Sequence, residues 1–251
     1  GLDKKFGIER VIDTPVSESA CTGAAVGASL AGMKPIVVQP RMDFMLYAMD
    51  AVVNQAAKWS HMFGGQANPA VTIRGIINRG GEQGAQHSQA LHAWFAHVPG
   101  LRVVMPSTVA DARDLLIASV LCKDPVVYID DRWLYEQEDE LPPVVELDLK
   151  AQKPLITQSG VDITIAASGH ASFLAREASK KLNSVNILPD VIDIRILNPF
   201  NADIIVESVI KTKHLLVVDS GWLSTGFSGE IVAKVIERLP VGCLQKPPVR
   251  I

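Results

Sequence analysis

Cysteine is scarce in this chain of 251 residues, and the three cysteines present, Cys21, Cys122 and Cys243, lie far apart in the sequence. An odd number of thiols cannot pair completely, and none lies in a C-x-x-C motif, so a disulfide framework is excluded. Sparse cysteine is typical of a reducing compartment. We therefore expect a cytoplasmic protein or, as the alternative, a subunit of the mitochondrial matrix after processing.

An excess of either charge is also lacking, because 24 lysines and arginines stand against 27 aspartates and glutamates, a net charge of −3. No overall basic field attracts nucleic acid or anionic lipid. The apolar runs are short and broken by charge, which predicts no transmembrane helix. We therefore expect no nucleic-acid partner and no membrane partner, and the 48% of hydrophobic residues indicates an ordinary globular chain.

Several catalytic motifs are missing as well. The sequence has no G-x-G-x-x-G after a strand, no G-x-x-x-x-G-K-[ST], no H-E-x-x-H and no G-x-S-x-G. These absences disfavour a Rossmann dehydrogenase, a P-loop nucleotide-binding protein and an α/β-hydrolase.

What the sequence does contain is an alternation of short β-branched runs with segments of helical period. We predict strands over residues 10–13, 35–38, 70–74, 102–105, 126–129, 162–167, 191–195 and 214–219, and helices over 18–32, 43–59, 88–96, 109–121, 170–183, 202–211 and 226–238. Such alternation favours an α/β fold of two tandem domains with mainly parallel sheets. An acidic and then proline-rich stretch interrupts it, so we predict a first domain over 1–137, a linker over 138–155 and a second domain over 156–251.

Two segments carry candidate functional residues. Glu18 lies between a predicted strand and a predicted helix, where α/β sheets bind ligands, although a glutamate there also simply complements the helix dipole. His87 follows a glycine-rich loop over 75–86 and is either a proton carrier or a histidine bonded to its own loop. Phe44 by itself indicates core packing.

Together these segments resemble the beta subunit of the thiamine-diphosphate-dependent 2-oxo acid dehydrogenases, the first component of the pyruvate and branched-chain complexes. The resemblance spans almost the whole chain, and its segments include Arg10-Val-Ile-Asp-Thr-Pro-Val-Ser-Glu18, Asp43-Phe44, Gly84-Ala-Gln-His-Ser-Gln89, Pro99-Gly-Leu-Arg-Val-Val-Met-Pro106 and Leu197-Asn-Pro199. It implies a transketolase-like pyrimidine-binding domain followed by a transketolase C-terminal-like domain.

The resemblance also implies roles for four residues. Glu18 matches the glutamate that hydrogen-bonds N1′ of the aminopyrimidine of thiamine diphosphate, and Phe44 matches the aromatic residue packed on that ring. Val16 matches a position that touches the pyrimidine, and His87 matches a histidine of the channel through which the lipoyl group arrives. Burial favours a protonated Glu18 and a helix N-terminus favours the carboxylate, and the residues alone leave that balance open.

The implied reaction is oxidative decarboxylation of a 2-oxo acid with acyl transfer to a lipoyl carrier. The chain has no G-D-G segment for Mg²⁺ and diphosphate, so the resemblance assigns Mg²⁺ mainly to an alpha subunit. The implied assembly is an α2β2 heterotetramer with a beta–beta contact, which meets the lipoyl domain of an acyltransferase.

Charged residues near the expected site keep other interpretations open. Arg41 and Asp43 put charge near the expected site, and Arg41 and Arg79 suit a phosphate. One alternative is therefore half of a split transketolase or deoxyxylulose-phosphate-type synthase. The other is a non-catalytic subunit that retains the fold.

Overall fold

The computed structural model describes residues 1–81 and 83–251. The α-helices are α1 (Leu2–Phe6), α2 (Glu18–Leu30), α3 (Trp59–Met62), α4 (His92–Ala96), α5 (Val109–Leu121), α6 (His170–Asn183), α7 (Asp203–Thr212) and α8 (Phe227–Ile236). The strands are β1 (Ile36–Gln39), β2 (Thr72–Ile77), β3 (Arg102–Val104), β4 (Val126–Asp131), β5 (Leu155–Gln158), β6 (Ile163–Ala167), β7 (Pro189–Asp193), β8 (Ile196–Asn198), β9 (Leu215–Val218) and β10 (Val249–Arg250). Turns of 3₁₀ helix span Met42–Ala48, Arg132–Glu136 and Leu149–Ala151, and a π-helix spans Asp50–Ala56.

The first sheet has the strand order β1-β2-β4-β3-β8. Its first four strands are parallel, and all six residues of the central strand β4 are buried, as expected of a parallel strand covered on both faces. The edge strand β1 differs, because Ile36 and Val38 remain 46% and 50% exposed. The first sheet therefore has one apolar edge that the described part of the chain does not cover.

The second sheet has the order β10-β9-β6-β7-β5, and only β5 runs antiparallel to its neighbour. The two sheets are joined by β8, which follows β7 in sequence yet pairs antiparallel with β3 of the first sheet. Two buried polar contacts also link the two halves. His92 lies 2.8 Å from Asp219, and Ser107 donates a hydrogen bond to Asp193.

Most predicted elements form, and α5 has the predicted bounds because Thr108 caps it by accepting a hydrogen bond from Asp111 N at 3.1 Å. The prediction of a strand over 10–13 is wrong, since these residues form a turn and irregular backbone. A β-branched run becomes a strand only when a neighbour accepts its backbone hydrogen bonds. The predicted helix over 43–59 is a succession of 3₁₀, π and α turns.

Three strands escaped the sequence patterns. β5 begins at the last residue of the predicted linker and has no fully buried residue, β10 has two residues, and β8 is stabilised by the other half of the chain. The domain boundaries stay predictions. In the described residues, no helix is long and apolar enough to cross a membrane.

Candidate active site

Glu18 is the first residue of α2 and is partly buried. One helical turn later, the buried Thr22 accepts a hydrogen bond of 3.3 Å from Gln39 Nε2, at the end of β1. This contact ties the start of α2 to the carboxyl end of the first sheet, the side on which open α/β sheets bind ligands. The strand expected before Glu18 is absent from the described residues, so α2 and its contacts alone position this carboxyl.

Phe44 and His87 meet at this end of the sheet. Their ring centroids are 5.2 Å apart, and the rings are nearly perpendicular at 83°. Phe44 lies in the 3₁₀ helix Met42–Ala48, which follows β1, and His87 lies in the loop between β2 and α4. An edge-to-face contact of this kind fixes the orientation of both rings.

Asp43 holds the His87 loop in place. The residue is 6% exposed, and its Oδ1 accepts hydrogen bonds from Gln89 N at 3.2 Å and Gln89 Nε2 at 2.8 Å. Within the described part of the chain, Asp43 Oδ2 and Ser88 Oγ are buried without a hydrogen-bond partner. Buried polar atoms are normally satisfied, so these two atoms mark a place where a ligand group can bond.

Arg41 lies beside these residues. Its Nη1 donates to Pro40 O and its Nη2 donates to Gln83 Oε1, each at 2.7 Å, and its Nε is buried with no partner among the described residues. Arg79, the other arginine that suited a phosphate, pairs at 3.1 Å with the buried carboxylate of Asp131. Its charge is therefore already balanced within the chain.

A second charged group braces strands β2 and β4. Arg74 forms a close ion pair with Asp130 and donates a 2.8 Å hydrogen bond to Tyr135 Oη. Burial lowers the pKa of Arg74, but the hydrogen bond and charge of Asp130 outweigh burial and raise it overall. Burial, with Asp130, raises the pKa of Tyr135 to about 12, so its hydroxyl stays protonated.

The four predicted site residues differ in how closely the structure ties them to one another. Phe44 and His87 are in contact, Glu18 begins the adjacent helix, and the Val16 side chain is 93% exposed. Sequence reasoning gave Asp43 no structural role, although it directly precedes Phe44. Its hydrogen bonds to Gln89 depend on two segments meeting in space.

The residues fit one half of a cofactor. A partly buried carboxyl, an aromatic ring and unpartnered polar atoms suit a flat heterocycle with hydrogen-bonding edges. In the described residues, no group of three or more histidine, cysteine, aspartate or glutamate side chains could hold a metal ion.

Comparison with protein families matches residues 1–137 to the family model "Transketolase, pyrimidine binding domain" and residues 152–251 to "Transketolase, C-terminal domain". A solved structure, a split-gene transketolase described as an inactive beta4 tetramer, superposes with a TM-score of 0.79 at 20% identity, and covers 100% of this chain and 79% of that one. That likeness concerns the fold alone. The fold and site define a transketolase-type protein of two tandem α/β domains, which confirms the predicted fold class.

Relatives with similar sequences show which transketolase-type proteins this chain resembles. The chain is 36% identical to the pyruvate dehydrogenase E1 component subunit beta of Rhizobium meliloti, over 95% of this chain and 52% of the relative. It is 37% identical to the mitochondrial counterpart of Caenorhabditis elegans, over 100% of this chain and 72% of the relative. It is 39% identical to the acetoin:2,6-dichlorophenolindophenol oxidoreductase subunit beta of Cupriavidus necator, over 95% and 70% respectively.

The chain belongs to the family of beta subunits of the thiamine-diphosphate-dependent 2-oxo acid dehydrogenases, as its sequence motifs predict. It spans about half the length of the Rhizobium relative and about 70% of the other two. The relatives include bacterial and mitochondrial proteins, and the compartment of this chain stays a prediction.

Proposed function

We propose that this chain is the beta subunit of an enzyme that oxidatively decarboxylates a 2-oxo acid and transfers the acyl group to a lipoyl carrier. The observation that carries the proposal is the Phe44–His87 contact, 5.2 Å between ring centroids, because the 3₁₀ helix of Phe44 packs against α2, the helix that Glu18 begins. These are the side chains that the family resemblance assigns to the pyrimidine and to acyl transfer. Membership of the beta-subunit family supports the same reaction.

Glu18 is proposed to hold the aminopyrimidine edge of thiamine diphosphate. When bound, the cofactor would supply a carbon nucleophile and an electron sink for decarboxylation of a 2-oxo acid. The Glu18 carboxyl shares a proton with N1′ and so sets the proton affinity of the amino group across the ring. Phe44 packs on the ring, and Val16 covers its edge.

His87 is proposed to move a proton during acyl transfer. The perpendicular contact with Phe44 orients the imidazole of His87, and the hydrogen bonds that Asp43 accepts from Gln89 hold the loop that carries it. A neutral imidazole can accept a proton and an imidazolium can donate one near pH 7. This part of the chain thus supplies a proton carrier whose ring orientation is already fixed.

The diphosphate and Mg²⁺ are proposed to bind mainly to an alpha subunit in an α2β2 heterotetramer with a beta–beta contact. The sequence has no G-D-G segment, and the described residues include no cluster of three or more histidine, cysteine, aspartate or glutamate side chains suited to a metal ion. The exposed apolar side chains of Val16, Ile36, Val38 and Tyr47 support burial against other subunits. A lipoyl domain would approach on the His87 side.

The alternative of a split transketolase-type synthase has less support. Its solved neighbour shares 20% identity, whereas the dehydrogenase beta subunits share 35–39%. Arg79, which suited a sugar phosphate, is paired with Asp131. A non-catalytic subunit would have no need to keep Glu18, Phe44 and His87 together.

The test is Glu18→Gln in the complex with the alpha subunit, thiamine diphosphate and Mg²⁺, assayed for consumption of 2-oxo acids with a dye acceptor. We expect a loss of about 100-fold or more in kcat, because general acid–base contributions are of that size. Glu230→Gln, an exposed glutamate in the first turn of α8, is the matched control. Size-exclusion chromatography confirms that both variants assemble.

Full activity of the Glu18→Gln complex would show that the assigned role is wrong. Consumption of sugar phosphates without any turnover of 2-oxo acids would favour the split transketolase instead.

A further inference from the structure

Arg41 is placed at the same turn as Phe44. It caps the 3₁₀ helix Met42–Ala48 in extended conformation, and Phe44 N donates to Arg41 O at 3.1 Å. Its Nη2 reaches Gln83, in the loop that carries His87. The guanidinium therefore bridges the two segments that bring Phe44 and His87 into contact.

Arg41 forms no ion pair within 4.0 Å among the described residues, and its two hydrogen-bond acceptors, Pro40 O and Gln83 Oε1, are neutral. Asp43 is only two residues away, but its Oδ1 accepts from Gln89 and its Oδ2 has no hydrogen-bond partner in the described part of the chain. Most arginines of the chain are paired with a carboxylate within 4.0 Å, namely Arg74, Arg79, Arg102, Arg113, Arg176, Arg195 and Arg238.

A partly buried guanidinium without an anion loses hydration that its neutral hydrogen-bond acceptors replace only in part. The buried Nε of Arg41 is a further donor with no acceptor in the described residues. Carboxylates and phosphates satisfy such a fork with two parallel charge-assisted hydrogen bonds. A ligand anion is therefore the group that completes this arrangement.

We propose that Arg41 binds a second anionic group of the substrate, a carboxylate or phosphate at the end remote from the 2-oxo acid group. The inference rests on the proposed function, and it names the substrate class as 2-oxo acids with an acidic side chain. Arg41 then determines specificity, because an uncharged side chain leaves its donors unpaired.

The test compares three substrates with the alpha–beta complex: 2-oxoglutarate, 3-phosphohydroxypyruvate and the uncharged 2-oxopentanoate. We expect wild-type kcat/KM to favour one of the two charged substrates by about 10- to 100-fold, the range that hydrogen bonds to charged groups support. The better charged substrate identifies the anion. Arg41→Gln abolishes the preference, Arg41→Lys restores part of it, and Arg250→Gln, an exposed arginine of β10, leaves it unchanged.

Binding of glutarate to the complex without cofactor, measured by calorimetry, separates this inference from the proposed function. We expect Arg41→Gln to weaken the binding of glutarate, or of phosphate if that anion is preferred, about 10-fold or more. If the complex binds the anion through Arg41 but turns over no 2-oxo acid, the proposed function is refuted and anion binding by Arg41 is not.

The specificity role is overturned if wild type shows no preference for a charged substrate, or if Arg41→Gln lowers kcat/KM equally for all three substrates. An equal loss would mean that Arg41 binds the carboxylate common to them, or the cofactor.

Discussion

Asp193 provides a pH-dependent test of how the two halves of the chain are joined. The residue ends β7, is 1% exposed, and accepts hydrogen bonds from Ser107 Oγ and from Ser172 Oγ, the latter at 2.9 Å. Arg176 Nη1 lies 3.9 Å from Asp193 Oδ2. Burial raises the pKa of Asp193 to about 6, although the two serines and Arg176 act to lower it.

The sign follows from comparison with the unfolded chain, where the pKa is 3.8. Between pH 3.8 and about 6 the folded state binds more protons at this site than the unfolded state does. The contribution of Asp193 to the free energy of unfolding is therefore complete below pH 3.8 and is lost as the pH rises through 6. At 1.36 kcal/mol per pKa unit, the loss is about 3 kcal/mol.

Asp193→Asn removes this titration. We expect the free energy of unfolding of the variant, minus that of wild type, to increase by about 2 kcal/mol between pH 4 and pH 7, because part of the total loss has already occurred at pH 4. Urea unfolding followed by tryptophan fluorescence and circular dichroism at a series of pH values measures the difference. Comparing the same pair of proteins across pH cancels pH-independent changes in the hydrogen bonds of Ser107 and Ser172.

Asp203→Asn is the matched control of opposite sign. The hydrogen bonds of Arg238 and Asn201 lower the pKa of Asp203, so its stabilising contribution is present above the unfolded pKa and disappears on acidification. A pH-independent difference between Asp193→Asn and wild type would refute the assignment of a raised pKa to Asp193.

Two further substitutions test packing and pairing. Gly100→Ala should destabilise the chain by about 2 kcal/mol or more, because Gly100 has φ +98° and an added Cβ would lie 2.0 Å from Ala57 O. Its control, Gly27→Ala, lies on an open face of α2 and should not destabilise the chain. His92→Ala should cost about 3 kcal/mol, because the buried Asp219 carboxylate then keeps only its backbone donors Gly221 N and Ser228 N. Adding Asp219→Asn in the same chain should recover part of the loss. The urea midpoints of the four variants measure these effects. If Gly100→Ala were as stable as wild type, the packing described at Ala57 would be contradicted, and if His92→Ala were, the pairing with Asp219 would be.

Local sequence determined much of the chain's secondary structure. Apolar runs became the buried strands β2, β4 and β6, because a parallel strand covered on both faces needs consecutive apolar residues. The helical period predicts α5 to the residue, and the structure shows that Thr108 caps its start. Ordered motifs such as Gly84-Ala-Gln-His-Ser-Gln89 also identified the family, since they need no knowledge of contacts.

Tertiary structure alone decided how these elements meet. The pairing of β8 with β3 and the bond between His92 and Asp219, 127 positions apart, join halves that the sequence presents as separate. Asp43 reaches Gln89 across 46 positions. Side-chain patterns report the local backbone and the buried face, whereas contacts between distant residues depend on packing of the whole chain, which no local pattern encodes.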